Sequence, residues 1–361
     1  MQKSKSTLIG NRRQFLATAG AAMVAAPFVG KGTAWAAGKT LNISTYTSVQ
    51  GEYIAKQVIP SFEKQFDCKV VQRQSTTLPT ISVLRTEKAS PTLSVAMMDD
   101  IGIPIAKGDG LIAKLPADKM PNLQNAYSRF IYEDGFGVAF AVCKSSPWYN
   151  SSVITKPMTS WNDLWDESLR GRLLLPSAKL TQSIMLLAMA ASIATGKPVS
   201  EAQHQLSDGW ARMKELRPNV QTMYEATGTA ILQVAQGQAD VAGPDLSKSM
   251  MAYIDRGATI TMMSPKEGSF AGVNAMTLTA NAPEPDLGAA FLDKMLSTEV
   301  QAGLAEMTYA APPVRGVTIS KKVMDVIPTS EEDLAKLHML DWNIVNPQRA
   351  EIIDMFNQIF G

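Results

Sequence analysis

Side chains able to grip a small molecule recur at one kind of place in this sequence, the loop after an apolar run of strand type. Tyr46-Thr47-Ser48 follows the run Leu41–Tyr46, and Ser75-Thr76-Thr77 follows 69–72. Asp99-Asp100 follows 93–98, Ser177 and Thr181 follow 172–176, Glu225 and Thr227 follow 220–223, and Asp245 follows 240–242. A hydroxyl in such a loop ordinarily caps the next helix, because its oxygen satisfies an orphan amide. Read singly, each cluster is a cap. Recurrence at three strand ends reads instead as a site for an anionic group, since helix N-termini facing one cleft present free amides and partial positive charge. Arg315, in Ala311–Gly316, adds a candidate bidentate contact to an anion. The acids pull the other way: Asp99-Asp100 either hold an ammonium group or open the next helix, where a carboxylate favours the dipole. Tyr46, Tyr224 and Tyr309 each offer a face and a hydroxyl to a ligand, and each reads equally well as core.

Nothing in the chain is assembled for bond-breaking. With only two histidines, His204 and His338, a His-rich metal cage is excluded and a Ser-His-Asp triad is disfavoured. No phosphate-binding loop, dinucleotide fingerprint, zinc-protease helix or nucleophile elbow is present. The twenty methionines cluster as Met97-Met98, Met250-Met251 and Met262-Met263 inside expected strands and a helix, which reads as core filling. The acids Glu331, Glu332 and Asp333 read as a solvated helix start. No catalytic residue, metal or cofactor is expected.

The elements that must position these side chains alternate between two hydrophobic periods. Strands at 41–46, 69–72 and 93–98 interleave with helices at Tyr53–Phe66 (interrupted by Pro60), Thr80–Lys88 and Ile103–Gly108. That order is the signature of a parallel sheet covered on both faces. After the apolar run Val138–Val142 a second block follows. Its strands are expected at 172–176, 220–223, 240–242, 259–263 and 274–279. Its helices are expected at Thr181–Ala194, Glu201–Leu216, Thr229–Gln236, Ser247–Asp255, Asp286–Leu296 and Thr298–Glu306, with a terminal amphipathic helix at Asn346–Phe360. Two α/β blocks joined by extended segments predict two lobes with a cleft between them. In open α/β sheets ligands sit beyond the carboxyl ends of the strands, which is why those loops matter.

The 361 residues suffice for two domains, and 45% hydrophobic with 19% charged residues is a globular composition. Lys and Arg number 34 against 33 Asp and Glu, so no basic excess exists to hold nucleic acid. The near balance is uneven along the chain. Residues 1–36 carry Lys3, Lys5, Arg12, Arg13 and Lys31 and no acid, which leaves the remainder at a net charge of −4. The basic stretch, the apolar run Phe15–Val29 and the small residues of Ala34-Trp35-Ala36 read as an export signal cleaved after Ala36. Arg12-Arg13 followed by Phe15-Leu16 resembles the twin-arginine signal, with departures at Asn11 and Ala17. The apolar run falls short of the roughly 20 residues a membrane anchor needs, and no Cys follows it to accept a lipid. Periplasmic residence, no stable membrane insertion and a monomeric state are the expectations. Cys68 and Cys143 would then meet an oxidising compartment, yet both read as small buried hydrophobes ahead of a disulfide.

Several stretches resemble the periplasmic solute-binding proteins of ABC importers, in the spermidine/putrescine-binding-like branch. They are TSWNDLWD at Thr159–Asp166 with Leu169–Arg172, QGQADV at Gln236–Val241, SPKEG at Ser264–Gly268, and Ala282–Pro285 with Ala289–Leu292. Leu296–Gln301 and Thr308–Pro313 complete the set. The resemblance implies an α/β, type II-like periplasmic-binding-protein fold, each lobe a mixed, mostly parallel sheet flanked by helices. It implies lobe I at 37–143 plus 267–312 and lobe II at 144–266 plus 313–361, with crossings near 137–146 and 264–276. It implies a small-molecule solute, an inner-membrane ABC permease as partner, and a cleft lined by Tyr46, Thr47, Ser177, Asn274 and Tyr309. Polyamine binders of the family carry acids where this chain has Ser177 or Ala178, Thr181 and Asn274, and a Trp where it has Gly272. The ligand set expected from strand ends and resemblance together is Tyr46, Thr47, Ser75, Thr76, Asp99, Asp100, Ser177, Thr181, Glu225, Asp245, Asn274 and Tyr309. Polyamines, thiamine-like cations, phosphonates and carboxylates all stay open, with hydroxyls and helix amides favouring an anionic group. Ferric iron is disfavoured, since no Tyr-Tyr pair has acid and His support. The rival from another class is a secreted enzyme on the same two-lobe fold.

Overall fold

A computed structural model describes residues 38–361 of the chain. The basic leader and its cleavage site lie outside the described residues. Within Ala37–Gly361 the chain builds one eleven-stranded mixed sheet in two parallel blocks. The first block holds β1 (Lys39–Thr45), β2 (Cys68–Gln74) and β3 (Val95–Asp99), with β1 parallel to both neighbours. Short strands β4 (Ile112–Ala113) and β5 (Ile131–Tyr132) edge it, and β6 (Gly137–Asn150) leads out of it. The second block holds β7 (Leu173–Pro176), β8 (Val220–Tyr224) and β9 (Val241–Leu246), with β7 parallel to both others. β10 (Ile260–Met262) pairs with the far end of β6, and β11 (Phe270–Thr279) returns to lie antiparallel between β3 and β6. The path reads β2-β1-β3-β11-β6-β9-β7-β8.

The two expected α/β blocks are therefore present. Their parallel strands are short apolar runs because both faces are covered. Leu173 and Leu175 pack with Leu186, Met189 and Trp210 on one face, while Leu174 meets Trp148, Ala230 and Val234 on the other. In the first block Ala96 and Met98 pack with Ile81, Leu84 and Ile103. The paired methionines are core elements as expected, with Met97, Met98, Met250 and Met263 almost fully buried. Helix Thr181–Thr195 buries every residue from Gln182 to Ala191, so this stretch has no solvent stripe, and its N-terminus stands just beyond the carboxyl end of β7. Among the described residues no single helix is long and apolar enough to cross a membrane.

The structure corrects several boundaries, each for a local reason. Pro60 does not break the chain of helices. Val49–Tyr53, a π-turn at Ile54–Val58 and Ile59–Phe66 run on, with Pro60 in the first turn of the last piece, where a missing amide is harmless. The single helix expected at Glu201–Leu216 is three pieces, Val199–Ala202, Gln203–Gly209 and Trp210–Leu216, with Gln205 outside helical space. Gly209, where the second piece ends, is required by packing, since a Cβ there would come within 2.9 Å of the Ala191 amide nitrogen and the Leu187 carbonyl oxygen. The backbone crosses directly over the buried helix. β6 does not end with the apolar run at Val142 but continues eight residues further, to Asn150, through Pro147, which sits at a register shift between Ser146 and Trp148 where a ladder amide is not required. The C-terminal helix spans Arg349–Phe360 after a 3-10 turn at Asn346–Gln348. Both cysteines are free, Cys143 buried in the middle of β6 and Cys68 half-buried at the start of β2.

Candidate functional site

Two cavities open at the carboxyl ends of the strands, the first walled by the segments after β2, β3 and β7, the end of β9 and the middle of β11, the second by the segments after β1, β8 and β9. The first, of about 370 Å³, is walled by Thr76, Thr77, Asp99, Asp100, Thr181, Gln182, Asn274, Trp342 and Arg349 among others. The second, of about 640 Å³, is walled by Gln50, Thr227, Lys248, Asp255, Arg256, Tyr309 and Lys322 among others.

At the inner wall of the first cavity Asp99 is fully engaged. Tyr46 donates its hydroxyl to Oδ1 at 3.2 Å, Asn274 donates Nδ2 to the same oxygen at 2.8 Å, and Thr77 donates Oγ1 to Oδ2 at 3.0 Å. Three donors on one carboxylate make it a structural anchor tying β1, β3, β11 and the helix Thr77–Thr86 together. Asp100 differs sharply. It is buried, it accepts from the amide of Ile101 at 3.0 Å, and its carboxyl is pushed up to about 8, chiefly by loss of solvent with the Asp99 charge adding to it. At neutral pH it is therefore protonated and uncharged. The expectation that one of these acids opens the next helix as a cap is not met: that helix begins after Ile101 with no side-chain cap.

The hydroxyl clusters also fail as caps. No side chain caps the first turn of Thr77–Thr86 or of Thr181–Thr195. Thr181 turns its hydroxyl to Gln182 Oε1 at 3.2 Å, and Thr77 spends its own on Asp99. Of the strand-end clusters only Tyr46-Thr47-Ser48 supplies a cap, Ser48 accepting from Gly51 at 3.5 Å. Two helices of ten and fifteen residues thus bring uncapped N-termini to one cavity. Beside them stands the Arg349 guanidinium, half-buried and lowered from its usual value by desolvation. Among the described residues its only hydrogen bond runs to the carbonyl of Lys179, at 3.0 Å, and no carboxylate pairs with it. The Trp342 ring N–H is buried in the same wall beside the Asp100 carboxyl and is the largest influence opposing the rise of that group.

Asp245, at the end of β9, is buried between the cavities. It accepts from Thr227 at 2.6 Å, Tyr224 at 3.2 Å, the Leu246 amide at 2.7 Å and Gln182 at 3.5 Å. Burial raises its carboxyl, and the Thr227 bond is the largest influence opposing that. Three residues on, Lys248 donates to Asn274 Oδ1 at 2.7 Å and to Gln50 Oε1 at 3.0 Å, with its ammonium 5.7 Å from the centre of the Tyr46 ring.

Of the twelve expected ligand residues, Thr76, Asp99, Asp100, Thr181 and Asn274 line the first cavity and Tyr309 lines the second. Tyr46 and Asp245 sit one bond behind the walls. Thr47 is exposed and Ser75 bonds only its neighbour's carbonyl, and neither lines a cavity. Ser177 is buried with an unpartnered hydroxyl away from both lining sets. Glu225 is exposed and paired with Lys179 at 3.1 Å. Tyr309 and Tyr46 serve different walls, Tyr46 bonding Asp99 behind the first cavity and Tyr309 lining the second. It ends its helix in the left-handed region, at a φ of 52°, and donates to Asp255 at 2.9 Å. Arg315 is corrected outright: it holds Glu331 at 2.9 Å and stacks over Tyr127, outside both cavities. Lys248, Gln50, Gln182, Trp342 and Arg349 escaped the strand-end reading. Lys248 lies three residues beyond Asp245, which already marked that strand end, a signal within reach. Trp342 and Arg349 come from the C-terminal helices, which no strand-end rule selects. Among the described residues no group of three His, Cys, Asp or Glu could hold a metal ion.

Residues 57–326 match the family described as bacterial extracellular solute-binding protein. No curated protein matches the sequence significantly. Solved structures share the fold. An ABC transporter structure from Clostridium perfringens superposes with a TM-score of 0.76 at 19% identity, covering 89% of this chain and 100% of that one. The spermidine/putrescine transporter substrate-binding protein of Streptococcus pneumoniae gives 0.73 at 15% identity, covering 90% and 100%. The periplasmic binding protein AfuA of Actinobacillus pleuropneumoniae, with fructose-6-phosphate bound, gives 0.69 at 18% identity, covering 90% and 98%. The expected periplasmic-binding-protein fold is thereby borne out. With three quarters of its length matched, the chain belongs to the bacterial extracellular solute-binding proteins.

Proposed function

We propose that the protein is the monomeric substrate-binding component of an ABC importer, capturing a small solute with a carboxylate, phosphonate or phosphate end and presenting it to an inner-membrane permease. The observation that carries the anionic end is the first cavity, where two uncapped helix N-termini meet an Arg349 guanidinium that has no acid partner. Such a wall attracts negative charge, and the partial charges of helix ends and a desolvated guanidinium act in the same sense. Asp100 does not oppose it, being neutral at pH 7, and Asp99 is already held by three donors. Among the described residues neither cavity is walled by a histidine or a cysteine, which favours binding and release over turnover.

In this reading the lobes are 37–143 plus 267–312 and 144–266 plus 313–361, and the solute closes them by touching both. Support comes from β6, which pairs with β11 up to Ser145 and with β9 and β10 beyond it. Val323, Ile327, Leu334 and Leu337 pack with Tyr127 and Phe130, which supports counting that stretch with lobe I instead of lobe II. Native mass spectrometry of protein purified without denaturation should find a retained acidic solute on a single chain, and scattering should record compaction when it is added back. A chain that retains and closes on nothing across phosphonates, phosphates and dicarboxylates would remove this reading.

Export belongs to the same proposal. Arg12→Lys with Arg13→Lys is expected to abolish periplasmic accumulation through the folded-protein route, and the exported wild-type N-terminus should read Ala37. Normal yield of the double variant in the periplasm would assign the general secretory route instead.

A further inference from the structure

The cleft contains a complete seat for a primary ammonium, and the chain fills it itself. Lys248 Nζ lies between two amide oxygens, Asn274 Oδ1 at 2.7 Å and Gln50 Oε1 at 3.0 Å, with the Tyr46 ring 5.7 Å away. Two carbonyl-type acceptors and an aromatic face are what an alkylammonium requires when water is removed. The charges around the seat are of the matching sign. Asp99 lies one residue behind it, joined through the Asn274 side chain, and the Lys248 charge acts on buried Asp245. The Gln50 amide is oriented by the lysine, since its Nε2 is buried without a partner while its Oε1 accepts. Asn274 is set in the same way, its Nδ2 committed to Asp99 and its Oδ1 to Lys248. Asn274 lines the first cavity and Lys248 the second, so their hydrogen bond stands at the partition between the two.

We propose that Lys248 is the specificity-determining residue of this cleft, a tethered ammonium that excludes amine solutes from the Asn274–Gln50–Tyr46 seat and keeps the cleft selective for anions. A second ammonium brought to the seat meets a like charge and finds its acceptors already used. An anion entering either cavity finds that charge at the partition. This inference deepens the solute-receptor reading and depends on it for the anionic class, while the amine arm of its test does not.

The test is to vacate the seat and supply the missing piece. Lys248→Ala removes the equivalent of n-propylammonium. Calorimetry of wild type, Lys248→Ala and Lys248→Met should use n-propylammonium, 1,4-diaminobutane and inorganic phosphate as probes, with Lys248→Arg as the charge-retaining control. The expected result is an inversion of class. Both neutral variants bind the amines at least tenfold more tightly than wild type, and bind phosphate at least tenfold more weakly. Lys248→Arg keeps the wild-type order. Loss of both classes together, or amine affinity equal to wild type in variants with native melting transitions, would overturn the proposal and leave Lys248 as a structural cross-link only. Failure of the receptor reading looks different: the wild type neither retains a solute nor compacts, whatever the variants do with amines.

Discussion

Asp100→Asn is expected to flatten the loss of stability that the wild-type protein suffers as pH rises towards 8. A carboxyl whose folded value is raised holds its proton in the folded state at pH values where the unfolded chain has released it. Stability from that proton is full below the unfolded value, taken as 3.8, and is lost progressively as pH rises to about 8. One proton of difference corresponds to about 1.4 kcal/mol per pH unit across that window. Between pH 6 and pH 8 the wild type should lose about 2.5 kcal/mol from this group alone, on the order of 5 °C in melting temperature for a chain of this size. Asparagine has nearly the same shape and no proton to lose, so the variant should melt close to wild type at pH 5 and clearly higher at pH 8.5. Asp245, raised by burial in the same direction, stays in both proteins and cancels in the comparison. Parallel melting curves across pH in the two proteins would mean that Asp100 ionises normally and that the cavity wall carries its charge.

Arg349→Met should separate binding from stability. Met keeps most of the apolar stem and removes the guanidinium. A hydrogen bond between charged groups contributes about 1.5–3 kcal/mol, so affinity for the anionic solute should fall roughly 10- to 100-fold. Stability should not fall with it. The guanidinium is half-buried, lowered by desolvation and unpaired, and one carbonyl contact does not repay that cost. A melting temperature equal to or above wild type, together with weakened binding by calorimetry, is the expected pair of results. A variant that melts lower and binds as before would make Arg349 a brace for the Lys179 carbonyl and nothing more.

How far the sequence could be read depended on whether the signal was periodic. The parallel strands were legible because strands covered on both faces must be short apolar runs, as in Leu173–Pro176 and Val95–Asp99. The second half of β6 was not, because Lys144–Asn150 lacks any apolar alternation and contains Pro147. It becomes a strand only through β9 and β10. Asp99, Asp100, Thr76 and Thr181 were found by the strand-end rule, which is geometric and general. Their roles were not, since capping competes with tertiary bonding and only the neighbours decide: Thr77 meets Asp99 and leaves its helix uncapped. Arg315 was chosen for its charge type near a Pro-Pro turn, whereas Arg349 lies more than a hundred residues of sequence from the ends of β2, β3, β7 and β9, whose loops share its cavity. Nothing in a linear reading joins positions so distant.

Asn274 also occupies a mechanical position. Against β6 the register of β11 slips between Asn274 and Ala275, so the ladder on one side of this residue is out of step with the ladder on the other. The extra residue is Phe140 of β6, since Asn274 pairs with Ala141 and Ala275 with Ala139, and a bulge bends the strand that carries it. The residue that holds both Asp99 and Lys248 therefore lies directly across the ladder from that bend. A pull on its amide is applied next to the bulge, with no length of rigid structure in between. Occupancy and curvature meet on facing residues, so a change in what Asn274 touches is passed to β6, the strand that links the two parallel blocks.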